Sequence, residues 1–212
     1  MKSGANPILS RNGESPTLFC EDYFLSRGGI LIAIFNILLC TVFRLLPHAP
    51  NFTPVGASAV FVGRQLPFPL AVLSLVATML LSDFFLSQMF GYPLFTTMSF
   101  FVYGAFIFQC FLGKIWRETK GGSFLAAGVG AVAFFLITNC AVWFYSGMYD
   151  KTLAGLMLCY TAALPFFRNA FYADMLWTSI FILMYRYLPQ LPLLKKLSLK
   201  DPYYNPQRFP VL

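Results

Sequence analysis

The sequence has few charged residues. Asp, Glu, Lys and Arg make up 11% of its 212 residues, against about 25% in soluble domains. Hydrophobic residues make up 58%, and phenylalanine alone occurs 25 times. This balance excludes an ordinary soluble domain and is typical of a polytopic membrane protein. The expected surroundings are therefore a lipid membrane, and we expect no nucleic-acid partner.

The motifs of common catalytic sites are also missing. There is one histidine, and the five cysteines form no CxxC pair, so the chain cannot build a usual zinc site. No HExxH, GxSxG or phosphate-binding GxxxxGK[ST] motif occurs. Asp83 and Asp174 lack the tyrosine-aspartate and glycine-aspartate signatures of intramembrane aspartyl hydrolases. We therefore predict no enzyme, no metal and no cofactor, and no ATP hydrolysis by this chain itself.

Long apolar runs predict an all-α, six-helix transmembrane domain over residues 28–188. The expected membrane elements are 28–46, 54–63, 67–87, 97–113, 122–146 and 164–188. The second is too short to cross alone, since a span needs about 20 residues. A further apolar stretch, 152–163, is expected to be re-entrant or interfacial.

Two polar segments flank this domain. Residues 1–27 are expected to form a cytoplasmic N-terminal segment, and residues 189–212 a cytoplasmic C-terminal tail. We expect that residues 1–27 are not a cleavable leader and that the first span acts as an uncleaved signal anchor.

The positive charges predict the orientation of the domain. Lys and Arg concentrate in cytoplasmic loops. With both termini inside, only Arg44, Lys151 and Arg168 fall at the outer side. The other twelve of the fifteen fall inside: Lys2, Arg11, Arg27, Arg64, Lys114, Arg117, Lys120, Arg186, Lys195, Lys196, Lys200 and Arg208. This split favours six elements with both ends in the cytoplasm.

The segment "PHAPNFTP", residues 47–54, interrupts the apolar pattern at the outer face and holds the single histidine. Pro47 and Pro50 end the first helix, and Pro54 suits the start of the second. Irregular backbone at membrane depth is tolerated where it is buried in protein or lines a wet cavity. We therefore expect this segment to cover a cavity, with His48 pointing inward.

Polar and interfacial aromatic residues converge on the outer half of the predicted bundle. Ionisable groups inside spans face the bundle interior or a cavity, so this convergence indicates a ligand site. The candidate substrate-binding residues are His48, Asn51, Thr53, Asp83, Tyr103, Asn139, Trp143, Tyr149, Arg168, Asn169 and Tyr172.

Each candidate also has a structural interpretation. Asp83 and Arg168 can form an ion pair that locks two helices, and Asn139 can hydrogen-bond between helices. His48 can be a plain loop residue, and the aromatic residues can form an interfacial belt. Asp174, near the predicted midplane, is either a hydrogen-bonded structural carboxyl or a group that couples transport to a proton or ion.

Several blocks of the sequence resemble a family of uncharacterised bacterial membrane proteins. They are "RLLPHAPNFTPVGA", "LLSDFFL", "FFLITNCAVWF" and "MYDKTLAGLMLCYTAALPFFRN" with the "YAD" that follows. That family is described as similar to the substrate-binding S-components of energy-coupling-factor vitamin transporters. The resemblance covers residues 40–188. It implies a six-helix S-component-like bundle that binds a micronutrient from the outer face.

The layout resembles more distantly the solitary vitamin B12 transporters of the same superfamily. Their pocket is marked by a His near the end of the first helix, an Asp in the third, a Tyr in the fourth and an Arg in the sixth. His48, Asp83, Tyr103 and Arg168 stand in comparable places. Relatives can supply a cobalt-binding Cys from the loop after the third helix, but "QMFGYPLFTTM" has none. Cobalamin is therefore a candidate ligand.

S-components that share an energising module often carry small residues four apart along the first helix. Only Gly29 and Ala33 fit this pattern here, since Ile37 breaks it. This favours a solitary protein, although an energising ATPase module is still an open partner. The predicted function is uptake of a small water-soluble nutrient or cofactor precursor. The alternative is a structural membrane subunit of a larger complex, whose polar residues would only hold helices together.

Overall fold

The computed structural model describes residues 27–187, and these form six α-helices without a strand. They are α1 (Arg27–Leu45), α2 (Val55–Gln65), α3 (Phe68–Phe90), α4 (Thr97–Ile115), α5 (Gly122–Tyr145) and α6 (Leu153–Tyr187). The predicted N-terminal segment and C-terminal tail lie outside the described residues, apart from Arg27. The predicted all-α character is confirmed for these residues.

Four of the helices are long and apolar enough to cross a membrane. The qualifying segments are Gly28–Leu45, Phe68–Phe90, Thr97–Ile115 and Gly122–Tyr145. Their exposed side chains are largely Leu, Ile, Phe and Val, the composition that lipid-facing helices need. The chain therefore has the character of a helical membrane protein.

The sixth helix corrects the prediction for residues 152–188. The stretch expected to be re-entrant and the expected sixth span form one helix of 35 residues, with Pro165 inside it. A proline removes one helical hydrogen bond, but contacts with α5 hold the turns before it. Tyr160 donates a hydrogen bond to the Leu136 carbonyl over 2.8 Å, and the Cys159 thiol lies 3.4 Å from the carbonyl oxygen of Asn139. Continuous packing against α5 thus keeps the helix unbroken.

The short helix α2 forms the centre of the bundle, and all eleven of its residues are buried. Glycines let α2 and α4 approach backbone to backbone. A Cβ on Gly63 would overlap the carbonyl oxygen of Cys110, and one on Gly113 would overlap that of Val60. Such close crossings between small residues are typical of membrane helix pairs. The packing explains why so short a helix has a fixed place.

Two arginines join the ends of α2 and α4. Arg64 donates to the carbonyl oxygens of Trp116 and Arg117, and Arg117 donates to that of Arg64 over 2.7 Å. Each guanidinium thereby satisfies carbonyls that a helix C-terminus leaves without partners. We call this side of the bundle, with the α2–α3 and α4–α5 connections, the Arg64 end.

The α1–α2, α3–α4 and α5–α6 connections lie at the other side, which we call the His48 end. Lys151 of the last connection donates to the carbonyls of Trp143 and Phe144 at the end of α5. Its ammonium also lies 5.5 Å from the ring centre of each of these residues. The cation therefore stabilises the C-terminus of α5.

Candidate functional site

A charged cluster joins α1, α3 and α4 near the His48 end. Nη2 of Arg44 lies 2.7 Å from Oδ1 of Asp83, and the hydroxyl of Tyr103 donates to Oδ2 of Asp83 over 2.6 Å. Nη1 of Arg44 also donates to Oγ of Ser82 over 2.7 Å. The carboxylate of Asp83 therefore accepts hydrogen bonds from side chains of two other helices, α1 and α4. The side chains of Arg44 and Asp83 keep 18% and 19% of their surface exposed, so the pair is not fully enclosed by protein.

The predicted ion pair between Asp83 and Arg168 is wrong. Asp83 pairs with Arg44, and the side chain of Arg168 is exposed on α6. The reason is the continuous α6: Arg168 lies fifteen residues into this helix and not at its start. The sequence assigns Arg44 only to the outer side, at the end of the first span.

The cluster lies well below the ends of α3 and α4. Beyond Asp83, α3 continues seven residues to Phe90, and α4 begins six residues before Tyr103. At 1.5 Å per residue these lengths are about 10 and 9 Å. Arg44 is the second-last residue of α1 and its side chain reaches Asp83, so α1 ends below the ends of α3 and α4.

Residues 46–54, which we call the proline loop, start at this lower level and descend further. The Pro50 carbonyl accepts a hydrogen bond of 3.2 Å from Asn169, sixteen residues into α6. The following helix begins where Gly56 packs against the carboxylate of Asp174. The connection between α1 and α2 thus runs down inside the height of the bundle and does not pass over its top.

The side chains of the proline loop are exposed at this depth from Leu46 to Asn51, and Phe52 and Thr53 are half-buried. Asn51 adopts a positive φ of 61°, a conformation that Asn tolerates better than most residues. Nδ1 of His48 lies 2.6 Å from the Leu46 carbonyl, so the imidazole donates within its own loop. The other ring nitrogen is available to a ligand.

The remaining predicted site residues divide between this region and the α5–α6 connection. Asn139 donates to the Phe135 carbonyl of its own helix over 2.8 Å, and Trp143 donates to the Asp150 carbonyl over 2.9 Å. Tyr149 is half-buried in that connection, and Tyr172 is 60% exposed on α6. The structure therefore joins Asp83 to Tyr103, and the proline loop to Asn169.

A second polar cluster surrounds Asp174, which is only 5% exposed. Its Oδ2 accepts from Nε2 of Gln109 over 3.1 Å, and the backbone N–H of Ala57 also donates to the carboxylate. A Cβ on Gly56 would overlap the carboxylate, so only glycine allows this approach. Ala57 is in the first turn of α2, where N–H groups lack helical partners. Asp174 therefore caps α2 from another helix.

Within residues 27–187, no three His, Cys, Asp or Glu side chains come together as a metal site would require. The two polar clusters offer hydrogen-bond donors, acceptors and one ion pair. Their chemistry suits the binding of polar ligands and protons.

A comparison with models of protein families matches residues 26–196 to a family of unknown function, DUF6580. The match covers most of the chain. The chain belongs to DUF6580. No curated protein and no solved structure matched this DUF6580 chain.

Sequence reasoning missed two residues of the clusters in this DUF6580 member. Arg44 lies at a helix end, where the side chain of an arginine usually extends to the membrane interface, so it was not expected in the cluster. The signal that could have found it is Asp83, since a carboxylate inside the bundle requires a cation and Arg44 is one of the cations predicted on the same side. Gln109 is a polar amide within an apolar span, the same signal that singled out Asn139. The close contact between Gly56 and Asp174 depends on tertiary packing, so it could not be predicted from the sequence.

Proposed function

We propose that this protein is a membrane uptake protein of the S-component type. It binds a small water-soluble nutrient or cofactor precursor in a cavity open to the outside and moves it across the bacterial inner membrane. In this proposal α6 is also a transmembrane helix, α2 is a half-span, and both termini are cytoplasmic. The position of Arg64, Lys114, Arg117 and Lys120 at the Arg64 end supports a cytoplasmic location for that end.

The observation that carries the proposal is the depth and exposure of the proline loop. Its backbone is irregular, its side chains from Leu46 to Asn51 are exposed, and it lies below the ends of α3 and α4, where Pro50 accepts a hydrogen bond from Asn169 of α6. Lipid cannot satisfy free backbone N–H and C=O groups, so such a segment is either buried in protein or lines a water-filled cavity. The exposed side chains from Leu46 to Asn51 favour the cavity. Substrate sites of transporters lie at interrupted helices of this kind.

The groups around such a cavity define the class of ligand. Arg44, Asp83 and Tyr103 present charge-assisted hydrogen bonds on one side, and His48 and Asn51 offer polar groups on the loop. A ligand with several polar groups, including an anionic one that Arg44 binds, fits these donors and acceptors. Cobalamin is the candidate that the resemblance suggests, and solitary action without an energising module is the favoured mode.

Equilibrium binding to the purified protein tests this proposal. We expect a small molecule to co-purify from cells and to be identified by mass spectrometry, and cyanocobalamin is the first ligand to titrate. Asp83→Asn should weaken binding at least tenfold, because it removes the charge that orients Arg44. Glu118→Gln, an exposed acid at the Arg64 end, is the matched control and should bind normally.

A different result would favour the alternative function. If no compound co-purifies and no saturable binding is found, the polar clusters hold helices together. The protein would then be a structural membrane subunit, and its partner proteins should co-purify instead.

A further inference from the structure

The polar group that the proposed cavity does not use is Asp174. We propose that Asp174 is a proton-binding site whose protonation releases the N-terminus of α2 and, with it, the proline loop. This inference rests on the proposed uptake function for its purpose, since it names the proton as the coupling ion. The contacts that carry it do not depend on the identity of the nutrient.

The first step is the bond between the carboxylate and α2. The backbone N–H of Ala57 and Nε2 of Gln109 both donate to Asp174, and the carboxylate lies against the positive end of the helix dipole. Hydrogen bonds to an ionised acceptor are about twice as strong as neutral ones. A carboxylate at a helix N-terminus gains further from the dipole. Loss of the negative charge therefore weakens the attachment of α2.

The second step is the absence of a fixed counter-charge. No ion pair among residues 27–187 involves Asp174. The charged residue of α2 is Arg64, two turns away at the opposite end of that helix, where it binds carbonyl groups. On α4, Lys114 lies exposed near the Phe68 ring, and Tyr103 donates to Asp83. A proton is thus the positive charge that the site can accept without rearranging an ion pair.

The neighbouring helices add few titratable groups. Within α5 there is no charged residue, and its titratable side chains are Cys140 and Tyr145 at the His48 end. Arg44 on α1 is paired with Asp83. On α6 itself, the charged residues Arg168 and Arg186 lie six and twelve residues from Asp174, and Tyr172 is exposed.

The third step is a route for the proton. Thr178 lies one turn after Asp174 on α6, and its hydroxyl is buried without a hydrogen-bond partner among the described residues. It lines a small crevice together with Ser123, in the first turn of α5, and with the apolar side chains of Ala57, Val60, Phe61, Phe181 and Ile182. The crevice has room for about one water molecule. The hydroxyls of Thr178 and Ser123 are the two polar side chains of this crevice, which adjoins Ala57, a residue that donates to Asp174. We take them as the route from Asp174 towards the Arg64 end.

A buried carboxylate can bind a metal ion or a proton. The groups that surround Asp174 favour a proton. Both groups that contact the Asp174 oxygens from α2 and α4 are N–H donors. A sodium or magnesium ion needs several oxygen ligands, and an N–H donor turned towards it repels it. A proton needs one lone pair of the carboxylate.

Distance measurements between two spin labels test the release of α2. One label is placed at Ala49 in the proline loop and the other at Gln88 on α3, both exposed, with Cys20 and Cys140 replaced. We expect one distance distribution at high pH and a second, broader one as the pH falls. Asp174→Asn keeps the shape and an acceptor oxygen but not the charge. It should show the second distribution at every pH.

Matched controls separate Asp174 from other acids. Asp150→Asn makes the same change on an exposed connection, and it should keep the transition with the same midpoint. The proposal is overturned if Asp174→Asn follows the wild-type pH profile, or if Asp83→Asn is the variant that removes the transition.

Infrared spectroscopy gives a second readout that does not need the labels. A protonated-carboxyl band should appear in the wild-type protein on acidification and be absent in Asp174→Asn. Thr178→Val leaves the acid in place and should slow the hydrogen–deuterium exchange of that band by at least fivefold. A band that persists in Asp174→Asn, or exchange unchanged in Thr178→Val, would refute the site or its route. Since no nutrient is needed, failure here leaves the uptake function itself untouched.

Discussion

Replacing Gly63 with alanine is expected to destabilise the protein by about 3 kcal/mol or more, because the new methyl group has no space. The Cβ would overlap the carbonyl oxygen of Cys110 on α4, and a backbone atom in a helix cannot move aside as a flexible side chain can. Overpacking of a well-packed core typically costs about 1–3 kcal/mol, and sometimes more. Forcing α2 and α4 apart would also disturb the hydrogen bonds that Arg64 and Arg117 make between the ends of these helices.

A glycine elsewhere on α4 provides the matched control. Gly104 has open space, with no atom within 4 Å, where the methyl group of an alanine would lie. Gly104→Ala should therefore raise the free energy of unfolding by about 1 kcal/mol, because alanine has a higher helix propensity than glycine and its methyl group meets no other atom. Unfolding of both variants in detergent, followed by the intrinsic fluorescence of tryptophan, measures the difference. Equal stability of Gly63→Ala and Gly104→Ala would contradict the close crossing of α2 and α4.

The ion pair between Arg44 and Asp83 is expected to show strong coupling. Removing one partner of a buried pair costs about 3–5 kcal/mol because the other charge is stranded. About one fifth of each side chain is exposed here, so we expect about 2–4 kcal/mol for Arg44→Met or Asp83→Asn. The double variant should recover part of the loss.

A double-mutant cycle measures this coupling through the free energy of unfolding. Arg168→Met combined with Asp83→Asn serves as the control, since these residues do not pair. That combination should be additive within about 0.5 kcal/mol. The geometry of the cluster would be contradicted if the effects of Asp83→Asn and Arg168→Met on the free energy of unfolding were coupled while those of Asp83→Asn and Arg44→Met were additive.

The helices could be predicted from the sequence because their signals are local. Apolar runs and the prolines at 47, 50 and 54 place α1 and α2 to within one or two residues of the observed ends. Pro165 was expected to mark a helix start, and this was wrong. Whether a proline ends a helix depends on the neighbouring helix, here α5, which the sequence does not reveal.

The partners within the site were less predictable. That Asp83 faces the bundle interior follows from the cost of a charge in lipid, and its contact with Tyr103 joins two predicted residues. The cation that pairs with Asp83 depends on the relative heights of α1 and α6, which are set by tertiary packing. The same limit applies to Asp174, whose partners come from α2 and α4.

Access of water to the proline loop is the most direct test of the proposed cavity. The measurement is the labelling rate of single cysteines in intact cells by a membrane-impermeant thiol reagent. Ala49→Cys lies in the loop, and Val42→Cys lies two residues before Arg44 on an exposed face of α1. Met148→Cys and Thr119→Cys mark the His48 and Arg64 ends.

We predict that Ala49→Cys reacts nearly as fast as Met148→Cys, because both face water on the outer side in the proposed topology. Val42→Cys lies close to the Arg44 cluster but faces lipid in the proposed topology, so it should react at least tenfold more slowly. Thr119→Cys should not react until the cells are opened. If Ala49→Cys reacts as slowly as Val42→Cys, the loop lines no water-filled cavity. If Thr119→Cys reacts in intact cells and Met148→Cys does not, the cavity opens to the cytoplasm.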